Sequence, residues 1–570
     1  MSKILRCTLL TSACLALAIA SFSQSNEVPR GWHLMDKADS GYYGISMDKA
    51  YRFVTEKKLK STPVIVAVID SGIDTLHEDL KAVLWRNPGE IPGNGIDDDK
   101  NGYIDDVYGW NFLGGTDGAN VEKDSYEAAR VYHQLLPKWG NKEVNVSSLS
   151  PADAREYDVF VRARKDVMSS NVDPGSLTSL QQNYREMRRV DSMFNIGDSI
   201  IRKDLAKQEY SCKDLQTYNP TNDVARWVRL VMTSICRDNK TEEITNAELL
   251  DELDGETSQL EGEISKIEMR EKAPRNYRND VVKDNYNDIN DRFYGNNNVM
   301  VSKKAAMHGT HVAGIIAAAR DNGVGMNGVA DNVKIMMIRA VPDGDEHDKD
   351  IALAIRYAVD NGAKVINMSF GKGFSPEKKW VDDAVKYAAS KNVLLVHAAG
   401  NSALNIDTSW NFPTPVTEDK KRAPNWITVG ASGDTKAGGL VASFSNYGKN
   451  EVDVFAPGVQ IYSTVPGGNT YQSLQGTSMA SPVVAGLAAF ILEYYPSLSP
   501  EQVKKVIEQS SRQPDAKVEQ PGSGKNVKLS ELSRTGGVIN AYEAIKLAAS
   551  MTEGKPEKPT RSKVKEKEKS

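Results

Sequence analysis

Cysteine is scarce, with four in 570 residues. Cys7 and Cys14 fall inside an N-terminal apolar run, which leaves Cys212 and Cys236 for the rest of the chain. So few exclude a disulfide-dense scaffold, and no Cys/His grouping has zinc-ligand spacing. Whether Cys212 and Cys236 pair or stay two separate buried thiols is open, because the sequence does not say how close they come. An excess of charge of one sign is also lacking: 71 basic residues face 76 acidic ones, for a net charge of -5. That balance argues against nucleic acid or an acidic membrane surface as the main partner. Beyond the N-terminus no stretch reads as long enough for a bilayer span. No internal repeat is present, and no organic cofactor is expected.

What is present begins with an export signal. Lys3 and Arg6 precede the apolar run Cys7–Ala20, and Ser21-Phe22-Ser23 puts small residues before Gln24. A basic n-region, a short apolar core and a small-residue cleavage site predict a signal peptide over residues 1–23 and a periplasmic or extracellular protein. At the other end, residues 551–570 are rich in Lys, Glu and Pro and nearly without apolar side chains. They cannot bury enough surface to offset their ordering entropy and are expected to be a disordered tail.

Between these ends, two stretches share one rhythm. Val/Ile-rich runs at Val64–Asp70, Lys334–Ala340, Lys364–Phe370, Val393–Gly400 and Ile427–Ser432 alternate with helical patterns. The helices are expected at His308–Ala319, Lys349–Asn361, Pro376–Lys391 and Ser478–Tyr495. Apolar strands separated by helices predict an α/β fold, a three-layer, doubly wound, mostly parallel sheet. Residues 24–113 and 296–550 would form it. Residues 114–295 turn polar and charged, with helical patterns at Ser179–Gln208 and Asn246–Met269, and read as an inserted, mainly helical module.

Three segments carry chemistry. Val64–Asp70 is a buried-type strand ending in a carboxylate and followed by Ser-Gly. Asp70 stands where an acid could orient a histidine, although a lone strand-end Asp more often holds a turn, a role left to Asp74. His308-Gly-Thr-His311-Val-Ala-Gly opens a small-residue helix. One histidine, His308, is suited to general-base work, and His311 to packing. Their spacing is not that of a helix-borne zinc motif, so a metal-dependent hydrolase using Asp70, His308 and His311 is disfavoured. Gly476-Thr-Ser478-Met-Ala-Ser-Pro482 precedes a third helix, with Pro482 expected in its first turn. Ser478 would then sit at a helix N-terminus, whose N–H groups favour a developing oxyanion; an ordinary N-cap serine uses the same position.

Taken together, in the order Asp, His, Ser, these segments resemble the subtilisin-like serine peptidases. The resemblance covers about Gly31–Phe112 and Asn296–Ser550. It implies an Asp70–His308–Ser478 triad and a serine endopeptidase acting on proteins or peptides. It further implies that Asn401, in Ala398-Ala399-Gly400-Asn401, is the side-chain oxyanion donor. Ser369, Phe370 and Gly371 would form one wall of a roomy, apolar-tolerant S1 pocket, and Ala398, Ala399 and Gly400 the other. Two departures from the family pattern stand out: the module between Asp70 and His308, and too little sequence for the usual N-terminal prodomain. A catalytically gated scaffold, or a processing protease controlled by the insertion, is the alternative.

Structural calcium is also expected. Asp97, Asp99, Asn101, the Tyr103 carbonyl and Asp105 place oxygens at alternate positions around Gly102, like the first half of an EF-hand loop, with Tyr108 where the closing Glu would stand. Many relatives carry such a loop before Tyr-Gly-Trp-Asn-Phe. By resemblance alone, Asp79 and Asn322, with carbonyls of the 320–326 loop, match a second calcium site.

Overall fold

The structure is a computed structural model and describes residues 28–140, 143–169, 176–207 and 209–552. The signal segment 1–23 lies outside the described residues, as does the tail apart from Met551 and Thr552, which end a helix.

Seven parallel strands form the central sheet: β1 (Val64–Asp70), β2 (Gly109–Asn111), β3 (Val333–Arg339), β4 (Val365–Met368), β5 (Leu394–Ala398), β6 (Trp426–Ser432) and β7 (Val454–Pro457). Their order is β2-β3-β1-β4-β5-β6-β7. All are parallel, with Asp70 opposite Arg339 and Ile69 opposite Met368. A separate hairpin pairs β8 (Ile461–Val465) with β9 (Thr470–Leu474).

Strand β1 shows why the sheet has two covered faces. Its apolar residues alternate sides: Val64, Val66 and Val68 join one core cluster, Ala67 and Ile69 the other. The helices of ten residues or more, in chain order, are α1 (Met47–Glu56), α2 (Glu127–Trp139), α3 (Pro151–Met168), α4 (Leu177–Leu205), α5 (Asp223–Asp238) and α6 (Asn246–Glu271). They continue with α7 (Met307–Ala317), α8 (Asp348–Asp360), α9 (Lys378–Ser390), α10 (Thr477–Tyr494), α11 (Pro500–Gln509) and α12 (Ala541–Thr552). Helices α7 and α10 cover the first face, and α8 and α9 the second. By composition α10 could cross a membrane, which the sequence reading did not foresee. It is instead the core helix, buried almost throughout.

Helices α2–α6 stand apart from the sheet and carry two small cores. The cluster nearer the sheet joins Tyr132 and Trp139 of α2 to Phe160 and Val167 of α3, and takes in Phe374 from the segment after β4. The second links Phe194 and Ile201 of α4 to Val228 and Met232 of α5 and to Leu249 and Leu253 of α6. A disulfide joins Cys212 to Cys236 in that second core, which resolves the pairing left open above.

Candidate active site

From β1 the chain runs out to the edge strand β2, comes back to β3 beside β1, then crosses to the other side of β1 to start β4. Such a reversal leaves a crevice beyond the C-terminal strand ends, where ligands bind in open α/β sheets. Asp70 is the last residue of β1 and is buried there. Helix α7 approaches closely because it carries Gly309: a Cβ at that position would lie 2.2 Å from the Gly72 carbonyl and 3.2 Å from the Asp70 Cβ. His308, one residue earlier, is brought onto the carboxylate, with Nδ1 2.7 Å from Asp70 Oδ1. Asp70 Oδ1 also accepts the Ser71 N–H at 2.7 Å. A proton on Nδ1 leaves the lone pair on Nε2. The His308 side chain keeps 38% of its surface open, so that lone pair is reachable. Burial lowers its pKa, but the Asp70 charge and hydrogen bond outweigh burial and raise it above 6.5.

His311, one turn further on, is fully buried and joined through Nε2 to the Gln472 carbonyl at 3.0 Å. Burial holds it neutral, with its pKa pushed down to about 3.

Ser478 is the second residue of α10, behind Gly476, whose φ of 151° is open only to glycine. Pro482 lies inside this helix rather than in its first turn. Having no N–H, it cannot bond the carbonyl four residues back, which belongs to Ser478. Ser369 fills the vacancy, its hydroxyl donating to the Ser478 carbonyl at 2.9 Å. The helix start is thereby tied to the end of β4. The Ser478 hydroxyl in turn donates to the Ser369 carbonyl at 3.2 Å; among the described residues no hydrogen bond joins it to His308.

Asn401 Oδ1 accepts from the Thr477 N–H at 2.9 Å and the Thr477 hydroxyl at 2.8 Å. That fixes the amide so that Nδ2 is its free donor end. An atom placed where Gly476 lacks a Cβ would lie 3.2 Å from Asn401 Nδ2 and 3.6 Å from Ser478 N.

The two expected pocket walls are joined by a residue the sequence reading passed over. His397, on β5 just before Ala398, lies 2.8 Å through Nε2 from the Phe370 carbonyl. Burial pushes its pKa down to about 4, so it is neutral and donates there. Gly371 faces the Phe412 carbonyl, 3.1 Å from where its Cβ would be. Ala399 and Gly400 are held by Asn446, through Nδ2 to the Ala399 carbonyl and N to the Gly400 carbonyl, both 2.8 Å.

In the acidic loop Asp97, Asp99 and Asn101 lie together, with Asp97 Oδ1 and Asp99 Oδ1 both 3.0 Å from the Asn101 N–H. Asp97 accepts the Asn101 and Gly102 N–H groups, and Asp105 accepts those of Gly93, Asn94 and Gly95. Both carboxylates therefore hold the loop's own backbone. Asn101 donates through Nδ2 to Asp99 and Asp106 and accepts the Tyr103 N–H at Oδ1, while the Tyr103 ring is buried in the core. The carboxylates that converge belong to Glu90, Asp99 and Asp106, with one oxygen of each within 4.8 Å of the others. Only Asp99 of that trio was expected; Glu90, from the preceding Pro-Gly-Glu turn, had no motif to announce it. No salt bridge reaches the three among the described residues, and amide donors Asn87 and Asn101 sit beside them. Such an oxygen-rich set without a cationic side chain suits a hard divalent cation. Asp79 and Asn322 are brought together, with Asn322 Nδ2 2.7 Å from Asp79 Oδ1 and Met326 N 3.2 Å from Oδ2.

Fold and site together define the class, a doubly wound α/β protein of subtilisin-like build. The chain belongs to the subtilase family, whose model matches residues 61–527. It is 39% identical over 239 residues to the thermophilic serine proteinase of Bacillus sp. (strain AK1), covering 42% of this chain and 52% of that protein. Its identity to subtilisin DY of Bacillus licheniformis is 44% over 201 residues, 35% of this chain and 67% of that one. The chain therefore spans about half of the first relative's length and two thirds of the second's. A solved structure described as proteases from Pseudoalteromonas arctica matches 42% of this chain and 70% of its own, at 30% identity and a TM-score of 0.35.

Proposed function

We propose that this chain is an exported serine endopeptidase that cleaves proteins or peptides through an acyl-enzyme, with Asp70, His308 and Ser478 as its triad. The observation that most supports the reading is the 2.7 Å bond between His308 Nδ1 and Asp70 at the end of β1. Ser478 attacks the peptide carbonyl while Nε2 of His308 takes its proton and returns it to the leaving amine. Asp70 orients the imidazole and stabilises its cation. The Ser478 N–H and Asn401 Nδ2 receive the oxyanion; losing the side-chain donor in a subtilisin costs about 10²–10³ in kcat. Ser369–Gly371 and Ala398–Gly400 hold the substrate. Glu90, Asp99 and Asp106 would hold calcium, which supplies charge balance to the loop and no chemistry. The signal-like N-terminus and a relative named cell wall-associated protease, from Bacillus subtilis (strain 168), support export.

One observation favours the gated alternative: the Ser478 hydroxyl bonds the Ser369 carbonyl rather than His308. Hydrolysis of unfolded casein at mildly alkaline pH, with calcium present, separates the two readings. Wild type should cleave it and be labelled at Ser478 by a fluorophosphonate, and Ser478→Ala should do neither while keeping its fold. A folded wild type that is neither active nor labelled would favour gating. Equal activity in wild type and Ser478→Ala would remove the triad assignment.

A further inference from the structure

Lys372 follows Gly371 directly and is flanked by a second glycine, Gly373. Two glycines leave this stretch free to shift unless something outside it holds it, and Lys372 is held unusually firmly. Its backbone pairs with Phe412 in both directions, at 2.9 and 2.8 Å. Its side chain, 2% exposed, reaches Glu127 Oε2 at 2.8 Å, Asp348 Oδ1 at 2.9 Å and the Glu346 carbonyl at 2.7 Å. Glu127 opens α2, the first helix between Asp70 and His308. It is fixed in turn, with its N–H on Asp345 Oδ2 at 2.8 Å and Arg130 on its carboxylate at 2.7 Å.

A second contact, from the next helix, grips the same rung. Phe374 packs into the core shared by α2 and α3. The Arg162 guanidinium of α3 lies 5.1 Å from the Phe374 ring and 4.6 Å from that of Trp410. Trp410 stacks on Phe412 at 5.7 Å. Helices α2 and α3 therefore reach both strands of the Lys372–Phe412 pair, one by charge and the other by aromatic contact.

We infer that these helices are a structural part of the substrate-binding wall, and that Glu127 is a positioning residue acting through Lys372 on Ser369–Gly371. The inference rests on the proposed reading of that wall. Removing Glu127 takes away one of the two carboxylates that hold the buried Lys372 ammonium, leaving Asp348 alone to balance it, and the backbone it anchors shifts. A shift near 1 Å in a positioning element costs about 10²-fold. The loss falls on peptides that lie along the wall. A small phosphonate needs only Ser478, His308 and the oxyanion donors.

The test uses the full chain as wild type, Glu127→Gln, Glu127→Asp and Arg162→Met. Kinetics on peptide p-nitroanilides are measured beside the rate of Ser478 labelling by a small alkyl fluorophosphonate. Glu127→Gln should raise KM by about tenfold or more while labelling stays within about twofold of wild type. Glu127→Asp should recover part of the loss. Arg162→Met, nearer the surface, should raise KM about threefold, and it keeps the test open if Glu127→Gln does not fold. Unchanged KM and kcat in folded Glu127→Gln and Arg162→Met would overturn the inference alone. So would a labelling rate that falls in step with peptide hydrolysis. A wild type that is not labelled would sink the serine reading and this inference with it.

Discussion

His308 stands between two opposed influences. Burial favours the neutral imidazole, the Asp70 carboxylate at 2.7 Å favours the cation, and the second prevails. A base of this kind works only when neutral, so activity should rise with pH through a midpoint above 6.5. Replacing Asp70 by Asn removes the charge that raises the pKa and leaves burial alone. The midpoint of kcat/KM should therefore move to lower pH, and the plateau should fall by about 10⁴ as the wrong tautomer is favoured. A profile that keeps its midpoint, or moves to higher pH, would show that Asp70 is not the controlling neighbour. Much of this site was legible because its residues are punctuated by glycine: Gly72, Gly309 and Gly476 mark the close approaches that put side chains together. What connects the residues was not legible. Nothing in the sequence says that Ser369 would answer the carbonyl left open by Pro482, or that His397 would bridge the two walls.

Elements divide the same way. The expected strands at Val64, Lys334, Lys364, Val393 and Ile427 all appear, because short, nearly continuous apolar runs between helical stretches fit buried parallel strands. Strands β2 and β7, three and four residues long, are too short to show a period. Among the charged helices, α4 and α6 were read nearly to length, but α2, α3 and α5 were not. Their apolar residues serve small private cores, so the stripe is thin, and α2 also carries Pro137. The disulfide staples the distal of these cores, closing a loop with a separation of 24. A loop of that size stabilises by about 3 kcal/mol in the chain-entropy account. Cys212→Ser/Cys236→Ser should therefore lower the first thermal transition, whereas phosphonate labelling of Ser478 at 25 °C should persist. The contacts with the wall come from the other core, around Tyr132 and Phe160. Simultaneous loss of labelling would mean that the two helical cores are not independent.

At the scale of the molecule, the sheet reversal at β1 sets where the cleft lies, and peripheral loops decide how firmly its rim is held. The acidic loop is one of these. Tyr357, on α8, donates to Asp106 at 2.5 Å, which ties the loop to the helix covering β1. Burial pushes the Asp106 pKa up to about 6, with the Asp99 charge adding to the rise. The sign of the consequence follows from linkage. Above its ordinary value of 3.8 and up to about 6 the folded protein binds more protons than the unfolded chain, so stability falls as pH rises through that window. Above about 6 the full penalty is present unless a cation compensates it. Calcium should therefore stabilise more at pH 8, where a concentration 100 times Kd contributes about 2.7 kcal/mol, than at pH 5. Thermal melts of the Ser478→Ala variant, chosen to prevent self-cleavage, with and without a strong chelator would measure this. Asp106→Asn should melt higher than its parent in chelator at pH 8, because the repulsion is gone, and should respond less to added calcium. If chelation left the melting temperature unchanged at both pH values, Glu90, Asp99 and Asp106 would be an acidic turn and not a metal site. If chelation lowered it equally in Asp106→Asn, the ion would be held elsewhere, and Asp79→Asn would be the next variant to melt.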